Sequence, residues 1–248
     1  MKVSIVTICY NSAETIRETI ESVISQTYKD IEYIIVDGAS KDNTCDIVRS
    51  FGDRISRFVS EPDRGIYDAM NKGVKLATGD VIGILNSDDF YADANVITDI
   101  VSTFEKTNAL GVYADLVYVN RDNVDKITRT WKSGVYEEGK FLFGWMPPHP
   151  TFFVKREVYQ TYGHYTTELR SSSDYEFMLR VIHKEKISVG YLPRVITKMR
   201  VGGQSNVTLT NRKKANREDR RAWEMNGLKP YFFTIALKPL RKIPQFLR

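Results

Sequence analysis

The sequence predicts an α/β fold, with a mostly parallel central sheet flanked by helices, a small antiparallel part and a helical basic tail. Three observations predict it. Short β-branched apolar runs alternate with amphipathic segments through the first hundred residues. Such runs are typical of strands buried on both faces of a parallel sheet. After residue 110 the pattern changes to alternating polar and apolar residues, and the chain ends in a cationic segment.

The elements of the first half follow from this alternation. The strands are expected at 3–9, 33–36, 57–60 and 81–85, and helices at about 13–25, around 47–51, 66–77 and 96–104. Asn11 and Ser12 are good capping residues for the first helix. Strands that alternate with helices in this way indicate βαβ units.

The second half is expected to be less regular. Segments 111–120 and 126–131 alternate around a polar turn, which predicts an antiparallel pair, and 141–153 is an aromatic, proline-rich loop. Helical spacing over 174–183 is followed by two short predicted strands, 187–191 and 195–199.

Charge gives the one domain boundary. The chain has 248 residues and a formal net charge of +5. Residues 211–248 hold eleven Lys or Arg and three Asp or Glu, a net of +8, whereas the first 210 hold 25 and 28, a net of −3. We therefore expect a domain over 1–210, with halves at about 1–110 and 111–210, and a basic amphipathic tail over 211–248.

Other compositional features point to a cytoplasmic enzyme. Two cysteines, Cys9 and Cys45, are too few for a disulfide framework and lack metal-type spacing. The N-terminus has no signal-peptide layout, and no run of 18 apolar residues predicts a membrane span.

The first loop excludes several enzyme classes. Its sequence, Cys9-Tyr-Asn-Ser-Ala-Glu, has no glycine. It therefore matches neither the dinucleotide-binding fingerprint nor the P-loop. There is no G-x-S-x-G elbow, and with only three histidines a Ser-His-Asp hydrolase is disfavoured.

The ends of the predicted strands carry acids and an aromatic ring instead. In a doubly wound sheet, ligands bind at the carboxyl ends of the strands. Tyr10 there could stack on a base, and Asp37 could accept from a pyrimidine N–H. The adjacent Asp88 and Asp89 repel each other unless a cation is present. A hard divalent ion holding diphosphate oxygens would resolve that repulsion.

Each of these residues also has a plain structural interpretation. The Asp88–Asp89 pair could cap a turn, Asp37 before Gly38 could be turn chemistry, and Tyr10 could be packing. Their joint occurrence at three strand ends favours a functional site.

Four motifs in fixed order resemble family-2 glycosyltransferases with the GT-A (Rossmann-like) fold, nearest to bacterial members that build capsule or colanic-acid-type surface polysaccharides. The motifs begin at Val3, Ile35, Ser60 and Thr78, and the likeness covers about residues 1–205. The second motif departs from the usual Asp-Asp-Gly-Ser, since this chain has Asp37-Gly-Ala-Ser.

The resemblance implies an inverting transferase that uses a nucleotide-diphosphate sugar and Mg²⁺ or Mn²⁺. By motif, Tyr10 would stack on the base, Asp37 would bind it, Asp88 would contact the ribose or sugar, and Asp89 would be the main metal ligand. Further donor-side candidates are Arg64, Asn71 and Lys72, although Asn71 and Lys72 could equally be helix surface.

On the acceptor side the resemblance implies that Asp174 is the catalytic base. Inversion needs one carboxylate to take the acceptor hydroxyl proton. Ser173 stands where the family often has Glu, which leaves the tuning of Asp174 open, and Asp174 could also simply cap its helix; Glu176 is a lesser candidate. His149 could line the acceptor site or be a structural loop residue. Arg200 opens a late glycine-rich loop that could close over the diphosphate.

The tail suits an anionic membrane surface. From Arg212 it is expected to form a basic helix, ended by Gly227 and Pro230, followed by an apolar, aromatic and cationic segment with no acid. Such a segment fits the headgroup region of a bilayer. The alternative is that the tail packs on the domain or on a second subunit, and nucleic acid is disfavoured because no motif for it accompanies the charge.

The predicted function is therefore transfer of a sugar, hexosyl or N-acetylhexosaminyl, from a nucleotide-diphosphate donor, expected to be UDP-linked, to a saccharide or lipid-linked acceptor. Its expected place is the cytoplasm, peripheral on the inner face of the membrane. Two alternatives stay open: a sugar-phosphate nucleotidyltransferase, and a non-catalytic nucleotide-sugar or glycan-binding membrane partner. The base, sugar, acceptor, linkage and oligomeric state, including a homodimer, are not fixed by the sequence.

Overall fold

The computed structural model describes residues 1–202, 209–241 and 243–246, with the backbone alone at 209–213, 243 and 244. The strands are β1 Val3–Cys9, β2 Ile31–Asp37, β3 Arg57–Ser60, β4 Val81–Asn86, β5 Asp89–Tyr91, β6 Gly111–Val119, β7 Ile127–Trp131, β8 Phe153–Lys155 and β9 Val189–Arg200. The helices are α1 Ile16–Ile24, α2 Thr44–Arg49, α3 Ile66–Leu76, α4 Val96–Thr107, α5 Arg156–Tyr162, α6 Ser173–Met178, α7 Leu209–Met225 and α8 Thr234–Leu240. Short 3₁₀ turns cover Gly52–Arg54, Lys140–Phe143, His149–Thr151 and Ile243–Phe246.

All nine described strands belong to one mixed sheet, in the order β3-β2-β1-β4-β8-β6-β9-β5, with β7 paired to β6. The pairs β1–β2, β1–β4, β2–β3 and β6–β9 are parallel. Apolar side chains cover both faces of the sheet, in two clusters under the helices. This confirms the predicted α/β class and follows from the β-branched runs, which bury both of their faces.

Parallel pairing places the first site loops side by side. Cys9 is the register partner of Asp37, and Ile8 is the partner of Asn86. The ends of β1, β2 and β4 therefore lie at one edge, which brings the loops after residues 9, 37 and 86 together as expected for an open α/β sheet.

Several elements differ from the sequence expectation. Segments 187–191 and 195–199 are one strand, β9, whose pairing with β6 has irregular register around Asp115. Strand β5 and helix α5 were not predicted, and the long helix expected over 174–183 continues from α6 as a π-helical turn, Leu179–Lys184. Other predicted elements of the first half are present with small shifts of their ends.

The capping prediction for α1 is wrong. The helix begins at Ile16, and its N-cap residue, Thr15, makes no side-chain capping bond. Asn11 instead has a positive φ of 49°, and its Oδ1 accepts a hydrogen bond from Lys41 N–H at 2.9 Å. Its side chain therefore ties the loop after β1 to the loop after β2.

The described part of the basic tail packs on the rest of the chain. Trp223 of α7 is fully buried, and its indole N–H donates to Tyr175 Oη at 2.8 Å. Lys238 of α8 lies 2.7 Å from Asp219 and 3.6 Å from the centroid of the Tyr175 ring. The chain after residue 210 thus contributes to the core beneath α6 and is not merely an appended arm.

No helix in the described residues is long and apolar enough to cross a membrane.

Candidate active site

The loop after β2 is organised by the Asp37 carboxylate. Asp37 is fully buried and accepts hydrogen bonds from the hydroxyls of Ser40 and Ser60, the latter at 2.7 Å, from Ser40 N–H at 2.9 Å and from Cys45 Sγ–H at 3.2 Å. Burial alone would raise the pKa of Asp37, but these donors outweigh it and lower the pKa. Asp37 is therefore a fixed anion that shapes the loop.

Two backbone positions in this region are in the left-handed conformation without being glycine. These are Asn11 and Ala39, whose φ angles are 49° and 61°. Such residues cost free energy and cluster at functional sites. Tyr10, directly before Asn11, is 53% exposed. At Gly38 an added Cβ would lie 3.4 Å from the Tyr10 ring and 2.4 Å from Asp63 Oδ2, so a larger residue there would displace the Asp63 carboxylate.

Asp88 and Asp89 lie where β4 ends and β5 begins. Asp89 is fully buried, and its Oδ2 accepts from Asn86 Nδ2 at 3.1 Å. Among the described residues, Asp89 Oδ1 and Asn86 Oδ1 have no hydrogen-bond partner. Burial, and then the charge of Asp88, raises the pKa of Asp89 well above its usual range, and burial also raises the pKa of Asp88.

A divalent cation fits this place. Orphaned buried oxygens beside two repelling carboxylates are what a hard cation would satisfy. Within the described ranges, no three His, Cys, Asp or Glu side chains converge to hold a metal. The protein would therefore supply Asp89, with Asp88 beside it, and oxygens of the bound diphosphate would complete the coordination.

Arg200 lies buried beside this pair. Its guanidinium is 5% exposed, forms an ion pair with Glu18, and donates to the backbone carbonyl of Asp88 at 2.7 Å. It also stacks 4.8 Å from the centroid of the Phe90 ring. Arg200 therefore holds the Asp88–Asp89 turn in shape. The glycine-rich loop expected after it, at 203–205, lies outside the described residues.

The three donor-side candidates on and before α3 are engaged differently. The Asn71 side-chain amide forms two hydrogen bonds with the backbone of Tyr165: it donates to the carbonyl at 2.8 Å and accepts from the N–H at 3.0 Å. Lys72 Nζ donates to Pro62 O at 2.7 Å and lies 2.9 Å from Glu61, so it fixes the loop after β3. Arg64 has a side chain that is 81% exposed and pairs with Asp68 at 3.4 Å. Arg64 alone of the three presents its charge to solvent.

Asp174 is held by a residue that the sequence analysis did not single out. The Tyr67 hydroxyl, on α3, donates to Asp174 Oδ1 at 2.9 Å. Burial, and then the Asp174 charge, raises the pKa of Tyr67 well above its usual range, and the nearby backbone N–H groups of Asp174 and Ser173 oppose that rise. Tyr67 therefore links the first turn of α6 to the donor half by a hydrogen bond.

The remaining acceptor-side candidates differ in whether their side chains have hydrogen-bond partners. His149 Nε2 and Ser173 Oγ are buried and have no partner in the described residues. Burial lowers the pKa of His149, and the nearby Asp174 carboxylate opposes that shift. Glu176, by contrast, is paired with Arg180 at 2.9 Å and accepts from Asn226, so its role is structural.

A row of register partners runs from Asp89 across four strands of the sheet. Asp89 pairs with Met199, Met199 with Tyr118, and Tyr118 with Arg129, across β5, β9, β6 and β7. Register partners present their side chains on the same face of a sheet. Burial raises the pKa of Tyr118, the Arg129 charge opposes it, and the carboxylates of Asp89 and Asp174 both add to it. Both carboxylates therefore lie within electrostatic range of the Tyr118 side chain.

Sequence reasoning missed Tyr67, Tyr118 and Arg129. Arg129 lies 4.3 Å from the centroid of the Tyr118 ring, and its Nε donates to Gln245 Oε1 at 2.6 Å. Tyr67 lies inside the motif that begins at Ser60, so the sequence carried a signal that could have identified it. Tyr118 and Arg129 had no such signal, because their importance depends on how β6 and β7 pair.

The family assignment rests on the sequence profile of this region. The family model described as glycosyl transferase family 2 matches residues 4–171. The chain belongs to glycosyl transferase family 2. That match covers the loops after β1, β2 and β4 and ends three residues before Asp174.

Curated relatives carry glycosyltransferase names. A PGL/p-HBAD biosynthesis glycosyltransferase of Mycobacterium bovis is 29% identical over 207 residues, covering 82% of this chain and 78% of that protein. An uncharacterized glycosyltransferase of Mycobacterium tuberculosis is 31% identical over 180 residues, covering 72% and 68%. The chain is therefore a glycosyltransferase, as the resemblance implied.

Solved structures support the fold. TarS 1–349 of S. aureus, in complex with UDP-GlcNAc, aligns with a TM-score of 0.71 at 16% identity, over 98% of this chain and 68% of that one. The mannosyltransferase PcManGT of Pyrobaculum calidifontis, in complex with GDP-Man and Mn²⁺, aligns with a TM-score of 0.69 at 20% identity, over 95% and 68%.

Proposed function

We propose that this glycosyltransferase inverts the anomeric centre of a nucleotide-diphosphate sugar and transfers the sugar to a hydroxyl group in the synthesis of a bacterial surface saccharide. The observation that carries the proposal is the way two acids are held: Asp89 is buried after β4 with an oxygen that has no partner in the described residues, and Tyr67 of the donor half donates to Asp174. A metal-binding acid and a base acid held in this way supply a leaving-group end and an acceptor end.

The chemistry needs one base and one stabilised leaving group. The acceptor oxygen attacks C1 of the donor sugar, its proton passes to Asp174, and the bond from C1 to the diphosphate oxygen breaks with its electron pair on the diphosphate. When bound, Mg²⁺ or Mn²⁺ at Asp89 supplies positive charge to that leaving group. Tyr67 holds Asp174 by its Oδ1, which leaves Oδ2 to accept the proton.

The donor base is proposed to lie on the open Tyr10 ring, with Asp37 in the same site. Because the Asp37 oxygens already accept bonds from Ser40, Ser60 and Cys45, its main contribution is to fix the loop on which the base rests. We propose that Asp88 meets the ribose or sugar and that exposed Arg64 lies near the nucleotide. Arg129, beside the Tyr118 ring, is proposed to add positive charge on the acceptor side.

For the donor we propose a UDP-linked sugar, and for the acceptor a saccharide or a lipid-linked saccharide. One structural neighbour was solved with UDP-GlcNAc and another with GDP-Man, so nucleotide sugars of both kinds occupy this fold. The M. bovis relative is named for PGL/p-HBAD biosynthesis, which supports a biosynthetic role for the transfer.

A panel of nucleotides and nucleotide sugars tests the proposal. Thermal unfolding with each compound, with and without Mn²⁺, should show a metal-dependent rise in Tm for one base, because ligands that bind the native state stabilise it. Turnover of the best donor should release a nucleoside diphosphate. Release of pyrophosphate would instead indicate a nucleotidyltransferase, and binding without any turnover would indicate a non-catalytic partner.

A further inference from the structure

The tail leaves one part of its surface without an internal role. Within the described residues, Trp223 and Asp219 are buried, Lys238 pairs with Asp219, and Arg221 pairs with Glu168 at 3.4 Å. Five exposed cations of the same segment have no ion-pair partner in the described ranges: Lys214, Arg217, Arg220, Lys229 and Arg241. Of the three acids there, Glu218 bonds to Ser171 and Asp219 to Lys238. The exposed surface is therefore strongly cationic.

Aromatic rings extend this surface. Phe232 is 92% exposed, and the neighbouring Tyr231 and Phe143 are about half exposed. The rings of Phe143 and Tyr231 are 6.1 Å apart, and those of Phe232 and Phe233 are 5.1 Å apart, so the four form one cluster. A phenylalanine this exposed costs free energy in water unless something covers it.

Cations and rings meet in a single recess of about 500 Å³, lined by Asn216, Arg217, Arg220, Phe232, Ile235 and Ala236. Arg217 and Arg220 are three residues apart on α7, which places them on the same side of the helix. A guanidinium pair beside an exposed ring can bind phosphate with its charge and insert the ring among acyl chains.

We propose that this recess and its ring cluster, the α7–α8 face, dock on the surface of an anionic phospholipid bilayer. Charge complementarity selects that occupant, since unpaired cations are attracted to the negative surface of anionic lipid. The face adjoins the acceptor half, because α7 packs against α6 and the backbone of Ala215 accepts a bond from Ser172 at 3.4 Å. Docking would therefore hold the Asp174 end of the cleft near the membrane, where a lipid-linked acceptor would be.

Flotation of the full chain with vesicles tests the proposal. Vesicles of phosphatidylcholine with phosphatidylglycerol should carry the protein upward, and vesicles of phosphatidylcholine alone should not. The double variant Arg217→Glu/Arg220→Glu should lower the partition coefficient about tenfold or more. The matched variant Lys29→Glu/Lys106→Glu, with the same charge change at exposed cations elsewhere, should lower it far less.

Phe232 separates insertion from simple charge attraction. Phe232→Ser should lower the partition coefficient several-fold. Phe232→Trp should keep it near the value of the unaltered chain, since a ring suits the headgroup region. The proposal is overturned if the two double variants lose flotation equally or if the unaltered chain does not float. It is also overturned if a variant changes the oligomeric mass of the protein without changing its flotation. Because flotation needs no catalysis, this outcome is independent of the glycosyltransferase reaction.

Discussion

The donor half and the acceptor half of this chain are built in different ways. In the donor half, the site residues follow parallel strands, and their partners come from neighbouring loops, as with Asp37, Ser40 and Ser60. In the acceptor half, Asp174 depends on Tyr67, which is 107 residues away in sequence. The helix that carries Asp174 is supported in turn by α7 from the end of the chain.

The difference explains how the cleft is assembled. The donor side is fixed mainly by the sheet and its turns, and Lys72 and, from the end of β9, Arg200 hold those turns in place. The acceptor side is correctly placed only when the whole chain has folded, because its base is held by contacts that span the sequence. Mutations far from the cleft should therefore harm the acceptor side more than the donor side.

The largest expected effect comes from α7. Trp223→Ala removes a fully buried indole and its bond to Tyr175, so it should lower the free energy of unfolding by about 3–5 kcal/mol. Chemical denaturation measures this. Met225→Ala, on the same helix but 37% exposed, is the control and should cost much less. A small effect at Trp223 would mean that α7 does not support the acceptor half.

Asp89→Ala tests the donor side alone. It should lower kcat/KM by about 100-fold or more, since the leaving group loses its metal. Without metal the variant should be at least as stable as the unaltered protein, because a buried carboxylate with one unpartnered oxygen beside the Asp88 charge is removed. Steady-state kinetics and thermal unfolding in EDTA measure the two effects, with the exposed Asp53→Ala as control. Near-normal turnover would exclude Asp89 as the metal ligand.

Tyr67→Phe tests the link between the halves with a smaller expected effect. Loss of a hydrogen bond to a carboxylate should lower kcat about tenfold with little change in the donor KM. The control is Tyr159→Phe, whose hydroxyl bonds only to that of Tyr165 in the described residues. An unchanged kcat in steady-state kinetics would reduce Tyr67 to a packing residue.

The same difference decides how much the sequence could predict. The βαβ order, the β6–β7 pair and the place of the loops after residues 9, 37 and 86 followed from hydrophobic patterning, because parallel strands bring their ends to one edge. The contacts of Tyr118 and Arg129 could not be foreseen, since they depend on strand register across four strands. Asn71 lies in a matching motif, yet its amide binds the Tyr165 backbone, which no local pattern could reveal.

The central claim is that one cleft joins a metal-binding acid to an acceptor-side base, and Asp174→Asn tests it most directly. Amide nitrogen cannot take the acceptor proton, while the variant keeps the shape that Tyr67 holds. We expect kcat for sugar transfer to fall by about 100-fold or more, with the metal-dependent Tm shift for the donor unchanged. The exposed Asp125→Asn should behave as the unaltered enzyme. Transfer by Asp174→Asn at a near-normal rate would contradict the account.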